Sequence, residues 1–287
     1  DYIYLSQVTQ NECIADATEH WRRNKGRCNG SMYWQFNDCW GVCSWSSIDY
    51  YGNYKALQYG ARHFNAPLSV SVEDTDEHIK IFVLNDLNNE QPVEAEYILF
   101  DFEKGIIEKH KTAVDMPALE NRLIFELDVN EIKRVHDYRK TGICARLYQN
   151  GEQINQKVVL FDNEKNLCLP KAKLKTKIFI EDKQLRLSIK TDNFARLVKA
   201  ESNRSSNPFS DNFFDILPNE TKEITIAADK AMRIRELAES IRVYSLSDIK
   251  FDYCKLNSLK NQLKVYLSPV NIGNAVYHGK LSKDVKF

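Results

Sequence analysis

Three of the chain's four tryptophans, Trp34, Trp40 and Trp45, fall within twelve residues, beside Asn37, Asp38 and Asp49. These residue types together suit a sugar. An indole offers a flat apolar face to the C–H groups of the ring, and carboxylate and amide groups hydrogen-bond its hydroxyls. The competing role is structural, because aromatic side chains favour interiors and a tryptophan cluster commonly belongs to a core. Hydrolysis of a glycoside with retention asks for more: two carboxyl groups about 5–5.5 Å apart, one an acid/base and one a nucleophile. Asp38 has no partner at an evident spacing except Asp49. The stretch offers one wall of a pocket and no reactive centre of its own.

The elements that must position these residues follow from propensity and period. Residues 31–36 are β-prone and follow the turn signal Asn29-Gly30, which predicts a buried strand running into the loop at 37–41. Loops at strand C-termini carry the sites of α/β folds. Upstream, residues 5–24 predict an amphipathic helix. Leu5, Val8, Ile14, Ala17 and Trp21 recur at helical spacing, while Gln7, Gln10, Glu12, Asp16 and Glu19 form the polar face. Basic residues and Gly26 supply its stop. His20 on this helix reads as structural or solvated. A second helix over 53–64 places Ala56, Leu57, Tyr59, Gly60 and Phe64 on one side. Helix–strand–loop–helix is one and a half turns of a βα barrel, which needs about 250 residues to close.

From Gly30 the chain reads Tyr33-Trp34-Gln35, Asn37-Asp38, Trp40, then Ser44-Trp45-Ser46-Ser47, Asp49-Tyr50, Gly52 and Lys55-Ala56-Leu57 before Tyr59. This run closely resembles the last barrel strand of glycoside hydrolase family two β-mannosidases, with the pattern GxxYWQxNDxWxxxSWSSxDYxGxxKALxY. One departure is Gly41-Val42-Cys43, where many members carry a proline after the second tryptophan. The resemblance covers roughly residues 1–249 and is strongest to 66. It implies that the first third is helix seven, strand eight and helix eight of a TIM barrel, and that both catalytic glutamates lie upstream of Asp1. Glu12 and Glu19 would then sit on an outer helix. It further implies Trp34 as the apolar platform under the sugar, with Trp40 shaping the rim. Asn37 and Asp38 would bond sugar hydroxyls or hold the loop, and Trp45, Asp49 and Tyr50 would belong to loop and helix-cap structure.

Pro67 breaks the second helix, and the period changes from 3.6 to 2. Residues 69–73, 78–84, 94–102, 123–129, 143–148 and 156–161 alternate and are separated by turn signals, which predicts an immunoglobulin-like β-sandwich. Residues 163–166 read as a linker. Further strands are expected at 176–181, 184–190, 195–200, 222–226 and 242–246, with a helix over 229–241. Leu169-Pro170-Lys171 and Phe209–Pro218 resemble segments of the β-mannosidases' C-terminal sandwich. Phe213 and Phe214 read as aromatics that plug a corner of that sandwich rather than reach a sugar. The expected fold class is mostly β: two immunoglobulin-like sandwiches, 67–165 and 166–287, behind the last helix–strand–helix unit of a (β/α)8 barrel at 1–66. The second would carry a C-terminal extension from about 250, with an alternating piece at 262–267.

Composition narrows the function. Forty Lys and Arg balance forty Asp and Glu, so no basic face for nucleic acid is implied. No apolar run approaches the roughly 18 residues of a membrane span. The seven cysteines show no zinc spacing and read as buried free thiols, and neither metal nor organic cofactor is expected. Sequons at Asn29, Asn203 and Asn219 are near chance frequency in an Asn-rich chain. What the resemblance implies is part of an exo-acting β-mannosidase that hydrolyses terminal β-mannose with retention. Its partners would be a β-mannoside and the upstream sandwich and barrel domains of the same enzyme. The alternatives are another family-two exo-glycosidase (β-galactosidase, β-glucuronidase or exo-glucosaminidase) and a non-catalytic carbohydrate-binding sandwich module.

Overall fold

The computed structural model describes residues 1–181, 184–228 and 234–249. The extension expected from 250, with Cys254 and the piece at 262–267, lies outside them, as does the start of the helix expected from 229.

Twenty-two residues without glycine or proline form α1 (Tyr2–Arg23). Its last carbonyls are closed by the Asn24 N–H, which bonds His20 and Trp21, and Gly26 follows at a φ of +94°, a conformation that favours glycine. The buried stripe is Tyr4, Val8, Ala15, Thr18 and Glu19, which corrects the expected face: Leu5, Ile14 and Ala17 are half-buried and Trp21 is exposed. Apolar spacing set the wrong phase because polar members of the stripe are buried against partners. Glu19 meets Lys157 at 3.2 Å and Ser71 at 3.3 Å. Against α1 packs α2 (Ala56–Phe64), burying Ala56, Leu57, Tyr59 and Phe64. A Cβ on Gly60 would lie 1.7 Å from Asn11 Oδ1, so only glycine allows this approach.

The buried strand expected at 31–36 is absent. These residues are irregular, with bends at Trp34 and Phe36, and Met32, Trp34 and Phe36 are exposed. A strand is defined by its neighbours. Among the described residues no ladder lies beside this one, and the only pairing is an isolated bridge, Asn37 to Ile48.

The first sandwich packs a three-stranded antiparallel sheet, ordered β1-β2-β5, on a four-stranded one, ordered β4-β3-β6-β7. Its strands are β1 (Leu68–Asp74), β2 (His78–Asn85), β3 (Gln91–Asp101), β4 (Gly105–Met116), β5 (Asn121–Asp128), β6 (Thr141–Gln149) and β7 (Glu152–Leu160). Val70, Val72, Ile79, Ile81 and Val83 meet Val93, Ala95, Leu99, Ile143, Ala145 and Leu147 in the core. Strand β4 was not expected from the sequence: its residues are nearly all exposed and lack alternation, yet its backbone pairs with β3 from Gly105 to Met116. After β5, Asp128 caps the short α3 (Val129–Val135) by accepting from Asn130 N and Glu131 N.

The second sandwich opposes sheets β12-β9-β8 and β11-β10-β13, built from β8 (Lys175–Glu181), β9 (Gln184–Lys190), β10 (Ala195–Ser202), β11 (Phe214–Ile216), β12 (Thr221–Ala227) and β13 (Ile241–Tyr244). Leu185, Leu187, Ile189, Ile224 and Ile226 pack on Val198, Ala200 and Ile216, closed by Leu237 of α4 (Ile234–Ser240).

The central strands of the four-stranded sheet, β3 and β6, are buried on both faces. Ile98, Phe100, Cys144 and Val158 turn away from the first core and join Phe102, Phe194 and Leu217 in a third apolar cluster between the sandwiches. Burial there pushes the Cys144 thiol up to about 12. Cys144 is the one described cysteine that is buried; Cys13, Cys39, Cys43 and Cys168 are exposed and Cys28 is half-buried. All are free, so the expectation of buried thiols holds at one position. The exposed ones lie on a helix surface and in loops, where no core reaches them.

Helices α1 and α2 bridge both sandwiches. Arg22 donates to Phe64 O, Ala66 O, Ser69 Oγ and Asp86, and Arg23 to Ser71 Oγ and Val72 O. On the other side Tyr4 Oη donates to Leu197 O at 2.6 Å and Arg62 to Ser210 O at 2.7 Å. Phe213, at a φ of +56°, is buried against Tyr4 and Tyr59, so it plugs the junction with the helices and not the corner of the sandwich expected of it. Phe214 packs on the second core.

Asp211 lies between α2 and the second sandwich, 3.1 Å from His63 Nε2 and 2.9 Å from Lys222 Nζ. Burial alone would raise its pKa. The hydrogen bond to His63 and the charge of Lys222 outweigh that and hold the carboxyl far below the usual range. A depressed carboxyl stabilises the fold above its unfolded pKa of about 3.9, and the contribution disappears as pH falls through the native value. The urea midpoint of the chain should therefore fall as pH drops below about 4, and Asp211→Asn should flatten that limb. Parallel limbs in both proteins would refute the assignment.

Candidate functional site

The loop from Gly30 to Tyr54 has an aromatic outside and a polar inside. Trp34 is 74% exposed and Trp40 67%, with Phe36, Trp45, Tyr50 and Tyr51 also open. Asp38 is only 5% exposed. Its Oδ1 accepts from Ser44 Oγ at 2.5 Å and its Oδ2 from Ser46 Oγ at 2.7 Å. Lys55 Nζ stands 3.5 Å from the same carboxylate and donates to Ser46 Oγ at 2.7 Å and Ser44 O at 3.2 Å. The hydrogen bonds from Ser44 and Ser46, with the Lys55 charge behind them, hold the Asp38 carboxyl below the ordinary carboxylate range.

Backbone bonds complete the brace. Ser47 N donates to Gln35 O, Ile48 N to Phe36 O, Asp38 N to Ile48 O and Lys55 N to Ser47 O, all between 2.9 and 3.1 Å. Ser47 Oγ adds bonds to Phe36 O and Gln58. Asp49 stabilises its own turn, accepting from Tyr51 N and from Asn53 N and Nδ2. The peptide between Trp34 and Gln35 is cis. Gln10 of α1 ties the loop to the helix pair through Trp45 O at 2.6 Å.

The four residues singled out from sequence therefore divide. Trp34, Trp40 and Asn37 lie exposed on the loop surface. Asp38 is buried, with both oxygens engaged by Ser44 and Ser46. Sequence reasoning did not find Lys55, Ser44 and Ser46 as its partners; the motif contains all three, but nothing in their spacing tells that they converge. Asp38 and Asp49 are each committed to separate loop bonds. Lys55→Met should loosen the brace by about 1.5–3 kcal/mol, the worth of hydrogen bonds to a charged group. Amides of Asp38, Ser47 and Ile48 should then exchange roughly 10- to 100-fold faster. Unchanged exchange would show that the backbone bonds suffice.

Elsewhere a crevice of about 890 Å3 opens between the helices and the two sandwiches, with Glu12, Arg146, Lys157, Arg196 and Glu220 among its walls. None of Trp34, Asn37, Asp38 or Trp40 lines it. Its ions are already joined: Arg146 forks onto Glu220 at 2.9 and 2.6 Å, and Arg196 holds Glu12 at 2.6 Å. It is a polar seam between domains whose charged walls pair with one another. Among the described residues no group of His, Cys, Asp and Glu could hold a metal ion, and no helix is long and apolar enough to cross a membrane.

Tandem immunoglobulin-like sandwiches behind two helices and an aromatic loop define a class, the C-terminal architecture of family-two exo-glycosidases. Residues 77–166 match the family described as a mannosidase Ig/CBM-like domain, and 169–249 match an Ig-fold domain family of the mannosidases. The chain is 48% identical over 84 residues to a β-mannosidase of Bos taurus, covering 26% of this chain and 10% of that protein. With β-mannosidase B of Aspergillus terreus it shares 27% identity over 253 residues, 80% of this chain and 29% of the relative. The crystal structure of the Dictyoglomus thermophilum β-D-mannosidase superposes with a TM-score of 0.76 at 28% identity, covering 85% of this chain and 30% of that one. The chain belongs to the glycoside hydrolase family two β-mannosidases, and it corresponds to their C-terminal portion. In the longer of these matches it spans about 30% of the relative's length.

Proposed function

We propose that this chain forms one wall of the sugar site, and the C-terminal scaffold, of an exo-acting retaining β-mannosidase that removes terminal non-reducing β-D-mannose. The exposure of Trp34 above a braced polar loop carries the reading. Its indole face is free to lie under a pyranose ring, Asn37 can reach a hydroxyl, and Trp40 borders the platform. Asp38 contributes by holding the loop. The engagement of Asp38 and Asp49 in separate loop bonds supports a reactive pair placed in other parts of the parent enzyme, with the chain by itself inactive. The upstream barrel and sandwich domains of that enzyme are its proposed partners.

The test is hydrolysis of aryl β-mannoside by the purified chain, with its mass of 33.4 kDa verified on the same sample. No turnover is expected. Turnover would place the reactive carboxylates within these residues and overturn the assignment of roles. In the parent enzyme, Trp34→Ala should lower kcat/KM for aryl β-mannoside roughly 10- to 100-fold, equivalent to about 1.4–2.7 kcal/mol of lost transition-state binding. An unchanged kcat/KM would remove Trp34 from the sugar site. Higher activity of that enzyme on aryl β-galactoside, β-glucuronide or β-glucosaminide would shift the substrate to another family-two sugar.

A further inference from the structure

The outward face of the β12-β9-β8 sheet carries a segregation of charge that a chain of zero net charge does not require. Leu169 to Phe179 reads LPKAKLKTKIF. Ala172, Leu174 and Ile178 pack on the second core, so the intervening Lys171, Lys173, Lys175 and Lys177 point outward, and all four are exposed. Within β8 such neighbours stand roughly 6.7 Å apart, twice the rise of a strand. Lys190 of β9 lies directly opposite Lys175 in the antiparallel register, a like-charge pair that works against the sheet. None of the five lysines forms an ion pair with another described residue. The carboxylates on the face are already taken: Glu181 and Glu223 both bond Arg186, at 2.8 and 2.9 Å. At the near end Asp192 accepts the Lys173 backbone N–H. With Arg186, six cations therefore stand against three carboxylates among the described residues of the face. Edge strands do carry lysines to prevent sheet-to-sheet pairing, but that purpose needs neither an unbroken row of four nor a fifth lysine placed across from it.

We propose that this face docks a linear sulfated or carboxylated polysaccharide. A row of point charges, two on β8 and two on the segment that leads into it, matches a linear polyanion better than a planar membrane. Among the described residues of the face the one aromatic is Phe179, 40% exposed with the Arg186 guanidinium 4.6 Å over its ring, and a single ring does not make the row of stacking platforms on which single-stranded nucleic acid is bound. Ammonium groups suit isolated sulfates and carboxylates as point charges. The proposal is independent of the aromatic loop, which lies at the other end of the chain.

The experiment is calorimetric titration of the full chain with a heparin-derived dodecasaccharide at about 50 mM salt, repeated up to about 300 mM, a range over which counterion release weakens a contact of this kind steeply. Binding at low salt that fades with salt is expected. Replacing Lys171, Lys173, Lys175 and Lys177 together by Gln should weaken it at least roughly tenfold. A charge-matched set on the first sandwich and the linker, Lys104, Lys109, Lys140 and Lys165 to Gln, should change it less than about twofold. All eight side chains are exposed, and equal melting temperatures confirm that both sets fold. Absence of binding by the wild-type chain, or equal losses in the two sets, would overturn the proposal. Equal or tighter binding of a single-stranded dT20 oligonucleotide, or of phosphatidylserine vesicles, would overturn the class of partner.

Discussion

Arg196→Ala should lower the stability of the chain by about 3–5 kcal/mol, the usual consequence of removing one partner from a buried ion cluster. The guanidinium reaches Glu12 of α1 at 2.6 Å, Asp215 of β11 at 2.7 Å and Glu164, in the turn between the sandwiches, at 3.1 Å. Burial alone would pull its pKa down, but the charges of Asp215, Glu12 and Glu164 outweigh that and push it up. Without it, three carboxylates from three parts of the chain face one another with no cation between them. Arg196→Lys should recover part of the loss, since a point charge neutralises the cluster but cannot fork between Asp215 and Glu12. Urea unfolding followed by far-UV circular dichroism reads both. A loss under about 1 kcal/mol for the alanine variant, typical of exposed pairs, would mean that solvent already screens the cluster.

Phe102→Ala is the second large effect, expected at about 3–5 kcal/mol for a fully buried phenylalanine. Phe102 stacks on Phe194 at 5.2 Å and contacts Phe100 at 5.9 Å, and its carbonyl accepts the Phe194 N–H at 2.7 Å. The ring belongs to the cluster between the sandwiches and not to either sandwich core. Its removal should therefore uncouple them as well as destabilise them, and calorimetry should resolve two transitions where the wild type shows closer coupling. Ile81→Ala, inside the first core, serves as the comparison: it should lower the first sandwich's transition without separating the two further. Identical behaviour of both variants would deny the cluster a coupling role.

Both effects fall on residues that no local pattern marks. Arg196 sits in a run that alternates well enough to predict β10, but nothing in that alternation shows that Glu12, almost two hundred positions away, is its partner. Likewise Phe102 reads as the last apolar residue of a strand, whereas it lies just beyond β3 and fills the space between domains.

The sequence by itself determined the local elements whose side chains face one environment. Strands β2 and β9 alternate because one face meets a core, and α2 shows its buried side because that whole side is apolar. The aromatic motif, with Trp34, Trp40, Asn37 and Asp38, was equally legible from residue type and spacing. Tertiary structure decided the rest. Exposed β4 has no periodicity to read, since its order comes from backbone bonds to β3. The buried stripe of α1 includes Glu19 because Lys157 and Ser71 of the first sandwich satisfy it. Residues 31–36 have strand propensity but no neighbouring ladder among the described residues, so propensity alone does not make them a strand. Asp38 turned inward because Ser44, Ser46 and Lys55 offer its carboxylate more bonds than solvent-facing geometry would allow. A period records which face of a segment is buried; only the folded chain decides what it is buried against.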